Sequence, residues 1–387
     1  MLKLIKKILI IKPSAFGDII HTLPFLNALK AGYPDAQIDW VVAHGLHTFL
    51  EGHPMINRLW VIRKDQWKKL KHFKKTLSDI VTLTRQLRQE NYDVAVDLSG
   101  ILRSGLITFA SGARLKLGFE ESDEGSSFFY SHKIRGDMNI HAIDRYLELA
   151  RALGCQTDIV AYPFSPLNEN PEILKELPEN YIVISPSAGK SANQWHAPRF
   201  GELASMLSLP SVIISSPSDA SIAQEVVKHS GGNAVSIAGR TNLKDLIPVI
   251  RKASYFITND TGPMHVAAAL NVPVFVIFGP ANPVRTGPYN AAGSTMKSAM
   301  KTGIYNPDPA IRDSGIKDGG FHNINPYLTV IDNGIHTIIQ NRFDCTPCYA
   351  QKPCGHWKCM NDLTVQDVFS VIRSKDMVLK TVEIEES

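Results

Sequence analysis

The strongest constraint on this chain is the rhythm of its apolar residues. Short β-rich runs at 8–12, 38–42, 59–62 and 93–97 alternate with helical stretches at 19–31, about 65–90 and from about 102. The rhythm returns at 181–185, 212–215, 234–237, 255–258 and 272–277, with helical stretches near 198–207, 219–229, 243–252 and 263–270 between them. Strands spaced by helices imply parallel βαβ units, because a parallel neighbour needs a long crossover. Two such arrays in 387 residues predict an α/β chain of two doubly wound, Rossmann-like domains facing each other across a cleft. The joint is expected in the Pro-rich stretch 162–171, which gives domains at 1–165 and 166–387. Residues 282–344, rich in Gly, Asn and Pro, read mainly as an ordered insertion or loop.

Composition removes several functions. A net charge of +4 is a mild excess, against the strong basic bias of a dedicated nucleic-acid binder. Hydrophobic content of 44% with 20% charge fits a globular chain. The opening MLKLIKKILIIKPSAFGD has a basic start, but Lys12 and then Gly17-Asp18 cut its apolar run short of a secretory core. No stretch approaches the ~18 apolar residues of a membrane-crossing helix. A cytoplasmic location with reduced thiols is the resulting expectation. Five cysteines are too few for a disulfide scaffold. The first strand–helix turn is not G-x-G-x-x-G, and Gly189-Lys190-Ser191 lacks the earlier glycine of a P-loop, since position 184 is Ile. A nicotinamide enzyme and a P-loop ATPase are both disfavoured.

Two turns carry the chemistry, since ligands of open α/β sheets sit beyond the carboxyl ends of strands. The first is Ser14-Ala15-Phe16-Gly17-Asp18, whose small residues allow close backbone approach. Asp18 reads either as a helix N-cap, worth about 1 kcal/mol, or as a general base. The second is Asn259-Asp260-Thr261-Gly262-Pro263-Met264-His265. A helix starting there exposes N–H groups and roughly half a positive charge. It reads either as a well-capped helix holding nothing or as a diphosphate cradle to which His265 adds a donor.

KPSAFGDIIHTLP at 12–24, VDLSGILRSG at 96–105, HAIDRYLELARALG at 141–154 and NDTGPMHVAAALNVPVFVIFGPANP at 259–283 together resemble the lipopolysaccharide heptosyltransferases, glycosyltransferase family 9. The resemblance runs over roughly 8–280 with the motifs in order. It implies the GT-B fold, an N-terminal acceptor-binding domain and a C-terminal nucleotide-sugar-binding domain. It implies transfer of a heptose from ADP-heptose to the inner core of lipopolysaccharide, with inversion and no required metal. By position, Asp18 matches the base, with Ser14 and Gly17 on the acceptor side. Asp260, Thr261, Gly262 and His265 match the donor turn, with Ser187 beside it and Thr241 nearer the nucleotide base. One departure stands out: Asn193 occupies the place of a family Lys, two residues before Trp195, and Lys190 is expected to replace that cation from the same loop. The departure keeps a different nucleotide-sugar donor as one alternative. An inactive nucleotide- or glycolipid-binding protein of the same fold is another.

Residues 63–75 carry seven Lys or Arg against Asp65, a net +6 within a chain of +4. They read either as a solvated helix face or as a site for an anionic acceptor and the cytoplasmic face of the inner membrane, each basic residue contributing about 1 kcal/mol near anionic lipid. The resemblance points to Arg63 and Lys64 as acceptor contacts, with Arg103 beside them. Cys345, Cys348, Cys354 and Cys359 fall within 15 residues, with His356 between. In a reducing compartment they read as free or disulfide-bonded thiols, as a structural zinc site, or as an iron–sulfur site. Cys155 reads as an isolated core residue.

Overall fold

The computed structural model describes residues 5–63, 73–291, 301–304, 325–348 and 354–385. The chain divides into two compact units, Met1–Leu167 and Asn168–Ser387. In the first, β1 (Lys7–Ile11), β2 (Gln37–Ala43), β3 (Arg58–Ile62), β4 (Val94–Asp97), β5 (Leu115–Phe119) and β6 (His132–Ile134) form one sheet in the order β3-β2-β1-β4-β5-β6. Every pairing is parallel. The crossovers carry α1 (Phe16–Gly32), α2 (His47–Leu50), α3 (Phe73–Gln89) and α4 (Leu102–Ala110), and α5 (Ala142–Ala152) follows β6. Ile8, Leu9, Ile10 and Ile11 are all fully buried, which is why this run is continuous rather than alternating: helices cover both faces of a parallel sheet.

The second unit contains β7 (Ile182–Ser185), β8 (Ser211–Ile213), β9 (Ala234–Ser236), β10 (Phe256–Asn259), β11 (Val274–Phe278), β12 (Lys301–Ile304), β13 (Leu328–Asn333) and β14 (His336–Asn341). Their order is β12-β13-β14-β11-β10-β7-β8-β9. The helices are α6 (Ala197–Met206), α7 (Ala220–His229), α8 (Leu246–Arg251), α9 (Gly262–Ala269), α10 (Pro283–Thr286), α11 (Lys358–Asn361) and α12 (Val365–Glu385). Ile184, Trp195, Phe200, Ile257, Ile277, Ile339 and Val368 build one core between sheet and helices. Each such side chain contributes about 1.5–3 kcal/mol on burial.

Within the stretch 282–344, read as an ordered insertion or loop, the described residues include three strands: β14 lies parallel to β11, and β13 and β12 add to it in antiparallel pairs. Gly334, at φ +63°, is the first of the two residues that turn the chain between β13 and β14, a hairpin position that favours glycine. Lys64 and most of the basic run 63–75 lie outside the described residues.

The close approach of α6 and α7 depends on Gly201. A Cβ there would stand 2.5 Å from the Val226 carbonyl oxygen and 2.6 Å from the His229 Cβ. Gly201→Ala is therefore expected to destabilise this unit by about 1–3 kcal/mol, as overpacking does, measured by urea unfolding.

Candidate active site

The parallel strands of each sheet reverse their order at one place: between β1 and β4 in the first unit, and between β7 and β10 in the second. Ligands of doubly wound folds sit at such points, and each carries a polar cluster.

In the first unit, Ile11 pairs with Val41 on one side and Asp97 on the other. The next residue, Lys12, is buried. Its Nζ donates to the Leu98 carbonyl at 3.2 Å and lies 3.5 Å from Asp18 Oδ1. It also stands 5.1 Å above the centre of the Tyr146 ring. Burial alone would lower the Lys12 ammonium, yet Tyr146, Asp18 and Asp97 together raise it above its ordinary value. Tyr146, from α5, brings its hydroxyl to 3.4 Å from Asp18 Oδ1.

Asp18 is not the N-cap. The cap is Ala15, and Asp18 is the third residue of α1, where its Oδ2 accepts the Ala15 N–H at 2.8 Å. This reach-back satisfies a donor left over at the helix start. It also explains why α1 begins at Phe16 rather than 19. Ser14 and Gly17 flank Asp18 and are half-buried.

Across the switch, the fully buried Asp97 accepts the N–H groups of Ser99 and Gly100 and the Tyr130 hydroxyl. Burial raises its carboxyl, and these bonds oppose that shift. They fix the turn after β4, where Gly100 takes φ +65°. The Ser99 and Ser122 hydroxyls are enclosed with no hydrogen-bond partner among the described residues. Arg63 lies exposed beyond β3, the edge strand, two positions from β1. Arg103 lines a groove of about 340 Å³ with Ile80, Leu83, Leu102 and Leu106, between α3 and α4. Neither cation stands among the contacts of Asp18.

In the second unit, Asn259 ends β10 and is fully buried. Its Nδ2 donates to the Pro186 carbonyl at 2.6 Å and its Oδ1 accepts the Trp195 N–H at 3.0 Å. One side chain thus holds the loop after β7 against the end of β10. Asn193, in that loop, donates to Asp260 Oδ2 at 3.1 Å. Loss of water around Asp260 pushes its carboxyl up to about 6, and Lys190 pulls it the other way. Thr261 is the N-cap of α9 with extended backbone, but its side chain makes no capping hydrogen bond. Its Oγ1 lies 3.3 Å from Thr258 Oγ1 instead. The first-turn N–H groups are therefore not taken up by a side-chain cap, and Gly262 adds no side chain to cover them. His265 is buried on the same helix. Ser187 is half-buried, its hydroxyl enclosed without a partner among the described residues. Lys190 is exposed, and Thr241 is half-buried after β9, two strands from β7.

The cysteine segment requires a correction. All five cysteines are free thiols. Among the described residues, no three or more His, Cys, Asp or Glu are grouped to hold a metal ion, so the zinc expectation is unsupported. Cys345 and Cys354 are exposed, whereas Cys359 is buried on α11. Burial pushes the Cys359 thiol up to about 11, and the other three cysteines push the same way, which disfavours the thiolate that a metal binds. Cys155 is buried against Gly32, a core residue as expected.

Sequence reasoning missed Lys12, Tyr146, Ser99 and Asn259. Lys12, Tyr146 and Ser99 stand inside the quoted blocks, and Asn259 opens the last of them. The contacts of Lys12 with Leu98, of Tyr146 with Asp18 and of Asn259 with Pro186 and Trp195 span 64 to 128 residues, so only the fold joins them.

Two Rossmann-like α/β units, each with a polar cluster at its switch point, define a nucleotide-sugar-dependent glycosyltransferase fold of the GT-B type. The sequence profile of "Glycosyltransferase family 9 (heptosyltransferase)" matches residues 80–303, and the chain belongs to that family. It is similar to the lipopolysaccharide core heptosyltransferase OpsX of Haemophilus influenzae, 25% identical over 295 residues, covering 74% of this chain and 82% of that protein. Among solved structures it resembles the E. coli ADP-heptose lps heptosyltransferase II, with a TM-score of 0.67, 21% identity, and coverage of 95% and 98%. It also resembles E. coli heptosyltransferase WaaC with ADP-2-deoxy-2-fluoro heptose, with a TM-score of 0.61, 24% identity, and coverage of 72% and 90%.

A raised carboxyl penalises the folded state once it ionises. For Asp260 that penalty is present above about pH 6 and vanishes as pH falls towards the unfolded value near 3.8. Asp260→Asn is expected to stabilise the protein by roughly 1–2 kcal/mol at pH 7.5 and to leave it unchanged at pH 4. Calorimetry at the two pH values checks this.

Proposed function

We propose that this glycosyltransferase moves a heptose from ADP-heptose to the inner core of lipopolysaccharide, with inversion at the anomeric carbon. The observation that carries the reading is the pair of clusters at the two switch points, a carboxylate in one unit and an open helix start in the other. Asp18 takes the proton of the acceptor hydroxyl. The oxygen forms its bond to the anomeric carbon, and the bond from that carbon to the diphosphate breaks with its electron pair going to ADP. Asp260, Thr261, Gly262 and His265 surround the leaving diphosphate, with Ser187 beside them and Thr241 towards the nucleotide base. The first-turn N–H groups of α9 answer the growing negative charge, where one preorganised donor is worth about 3–4 kcal/mol. Lys190 supplies the cation that Asn193 does not. This chemistry requires no metal, because protein donors meet the charge.

Ser14, Gly17, Arg63, Lys64 and Arg103 form the acceptor side in this reading. Among the described residues no helix is long and apolar enough to cross a membrane. Peripheral contact with the anionic cytoplasmic face of the inner membrane fits the groove between α3 and α4. Ile80, Leu102 and Leu106 line it and are exposed, and Val81 and Phe109 are exposed on the same two helices; Arg85 and Arg88 stand with Ile80 and Val81 on α3. Large contiguous apolar patches mark interaction sites.

A second reading, transfer from another nucleotide sugar, is motivated by Asn193. Calorimetry with ADP-heptose, UDP-sugars and GDP-sugars separates them: equal affinities favour the second. Asp18→Asn is expected to lower kcat on ADP-heptose and a Kdo-lipid acceptor by about 10²–10⁴-fold; turnover within about tenfold of wild type removes Asp18 as base. Leu106→Asp is expected to weaken flotation with phosphatidylglycerol vesicles by about tenfold, the scale of burying one leucine, while activity on a deacylated acceptor persists.

A further inference from the structure

The assignment of Asp18 as base leaves the cluster around it without a stated role. Asp18 Oδ1 is met from two sides, by the Lys12 ammonium at 3.5 Å and the Tyr146 hydroxyl at 3.4 Å. Oδ2 meets the Ala15 N–H at 2.8 Å. A carboxylate oxygen accepts more than one hydrogen bond. Oδ2 therefore keeps acceptor capacity, and the Asp18 side chain remains 37% exposed. Lys12, by contrast, is almost wholly enclosed, at 7% side-chain exposure. A buried ammonium needs a counter-charge, and the carboxylates near it are Asp18 and Asp97.

We propose that Lys12 and Tyr146 are positioning residues for proton transfer: they fix Oδ1 of Asp18, so that Oδ2 is left to face the acceptor hydroxyl. This rests on Asp18 being the base. In the step, the O–H bond of the acceptor breaks and its proton moves to Oδ2. The electron pair left on oxygen forms the new glycosidic bond, and the diphosphate leaves with the pair from the old one. Asp18 is then neutral, while Lys12 keeps its charge against Asp97 and the Leu98 carbonyl.

The other titratable groups packed around this cluster come from three elements. Asp97 ends β4 and acts on Lys12. Arg145 lies on α5 and acts on Tyr146. His21 on α1 stacks edge-on against His141 at 5.0 Å. None of them replaces the contacts of Lys12 and Tyr146 with Oδ1.

The experiment compares wild type, Lys12→Met, Tyr146→Phe and Asp18→Asn, each checked for folding by circular dichroism. The readout is steady-state kinetics with ADP-heptose and a Kdo-lipid acceptor, with kcat and donor KM determined separately. Lys12→Met should lower kcat about 10–100-fold with donor KM within about twofold, as loss of base positioning does. Tyr146→Phe is expected to lower kcat about threefold to tenfold in the same pattern. A folded Lys12→Met protein with unchanged kcat overturns the proposal, as does a loss confined to donor KM. If Lys12→Met does not fold, an unchanged kcat in Tyr146→Phe overturns it. Asp18→Asn separates the two levels. If it stays active, the base assignment fails. If it is inactive while Lys12→Met keeps the wild-type kcat, only the positioning role fails.

Discussion

The constraint on which the rest of this structure depends is the reversal of strand order in a parallel sheet. Where consecutive crossovers leave in opposite directions, the carboxyl ends of two strands stand side by side with no helix laid over them. Backbone amides and helix starts converge there, and side chains just past the strands need reach only a few ångströms. In the proposed reaction each unit devotes one reversal to one half of the chemistry. The first gathers a carboxylate with its buried counter-charge. The second gathers an open helix start with a loop rich in donors. The strands supply mainly hydrophobic burial, and their polar residues Asp97 and Asn259 stand at the carboxyl ends, where they tie down the turns that follow.

In the proposed reaction the two clusters solve opposite electrostatic problems. A base must be negative before reaction and tolerate becoming neutral, and the first unit sets the buried Lys12 ammonium 3.5 Å from Asp18. A leaving diphosphate would arrive negative and gain charge, so the second unit would need donors and few competing anions. Asp260 is the exception, and its raised carboxyl shows the cost of placing an acid there. Asn193, in the position where the family resemblance expects a lysine, gives that acid a hydrogen bond but no opposite charge.

Much of this was legible in the sequence because periodicity reports burial directly. The fully enclosed run at 8–11, the double βα rhythm and the turns after β1 and β10 follow from apolar spacing, glycine and proline alone. The family motifs contain the turns that the fold sets at the two switch points. Other features depended on long-range contact. The pair β13–β14 was hidden because His336, Thr337, Gln340 and Asn341 are polar yet buried, so the strand lacks the usual apolar signature. The start of α1 was placed late because Asp18 caps from inside the helix. The cysteine spacing suggested a shared ligand set, but spacing does not say which way each thiol points, and Cys359 turns into the core while Cys345 and Cys354 face out.

Trp195 joins regions that the sequence keeps far apart. It is fully buried, takes its backbone bond from Asn259, and donates its ring N–H to the Leu363 carbonyl at 2.9 Å, where Arg199 also donates. The loop after β7 is thereby keyed to the entrance of α12, 168 residues further along the chain. The polar cluster at this switch point thus leans on packing that lies well outside it, and a change in the segment before α12 reaches the cluster through Trp195 without touching any of its polar groups.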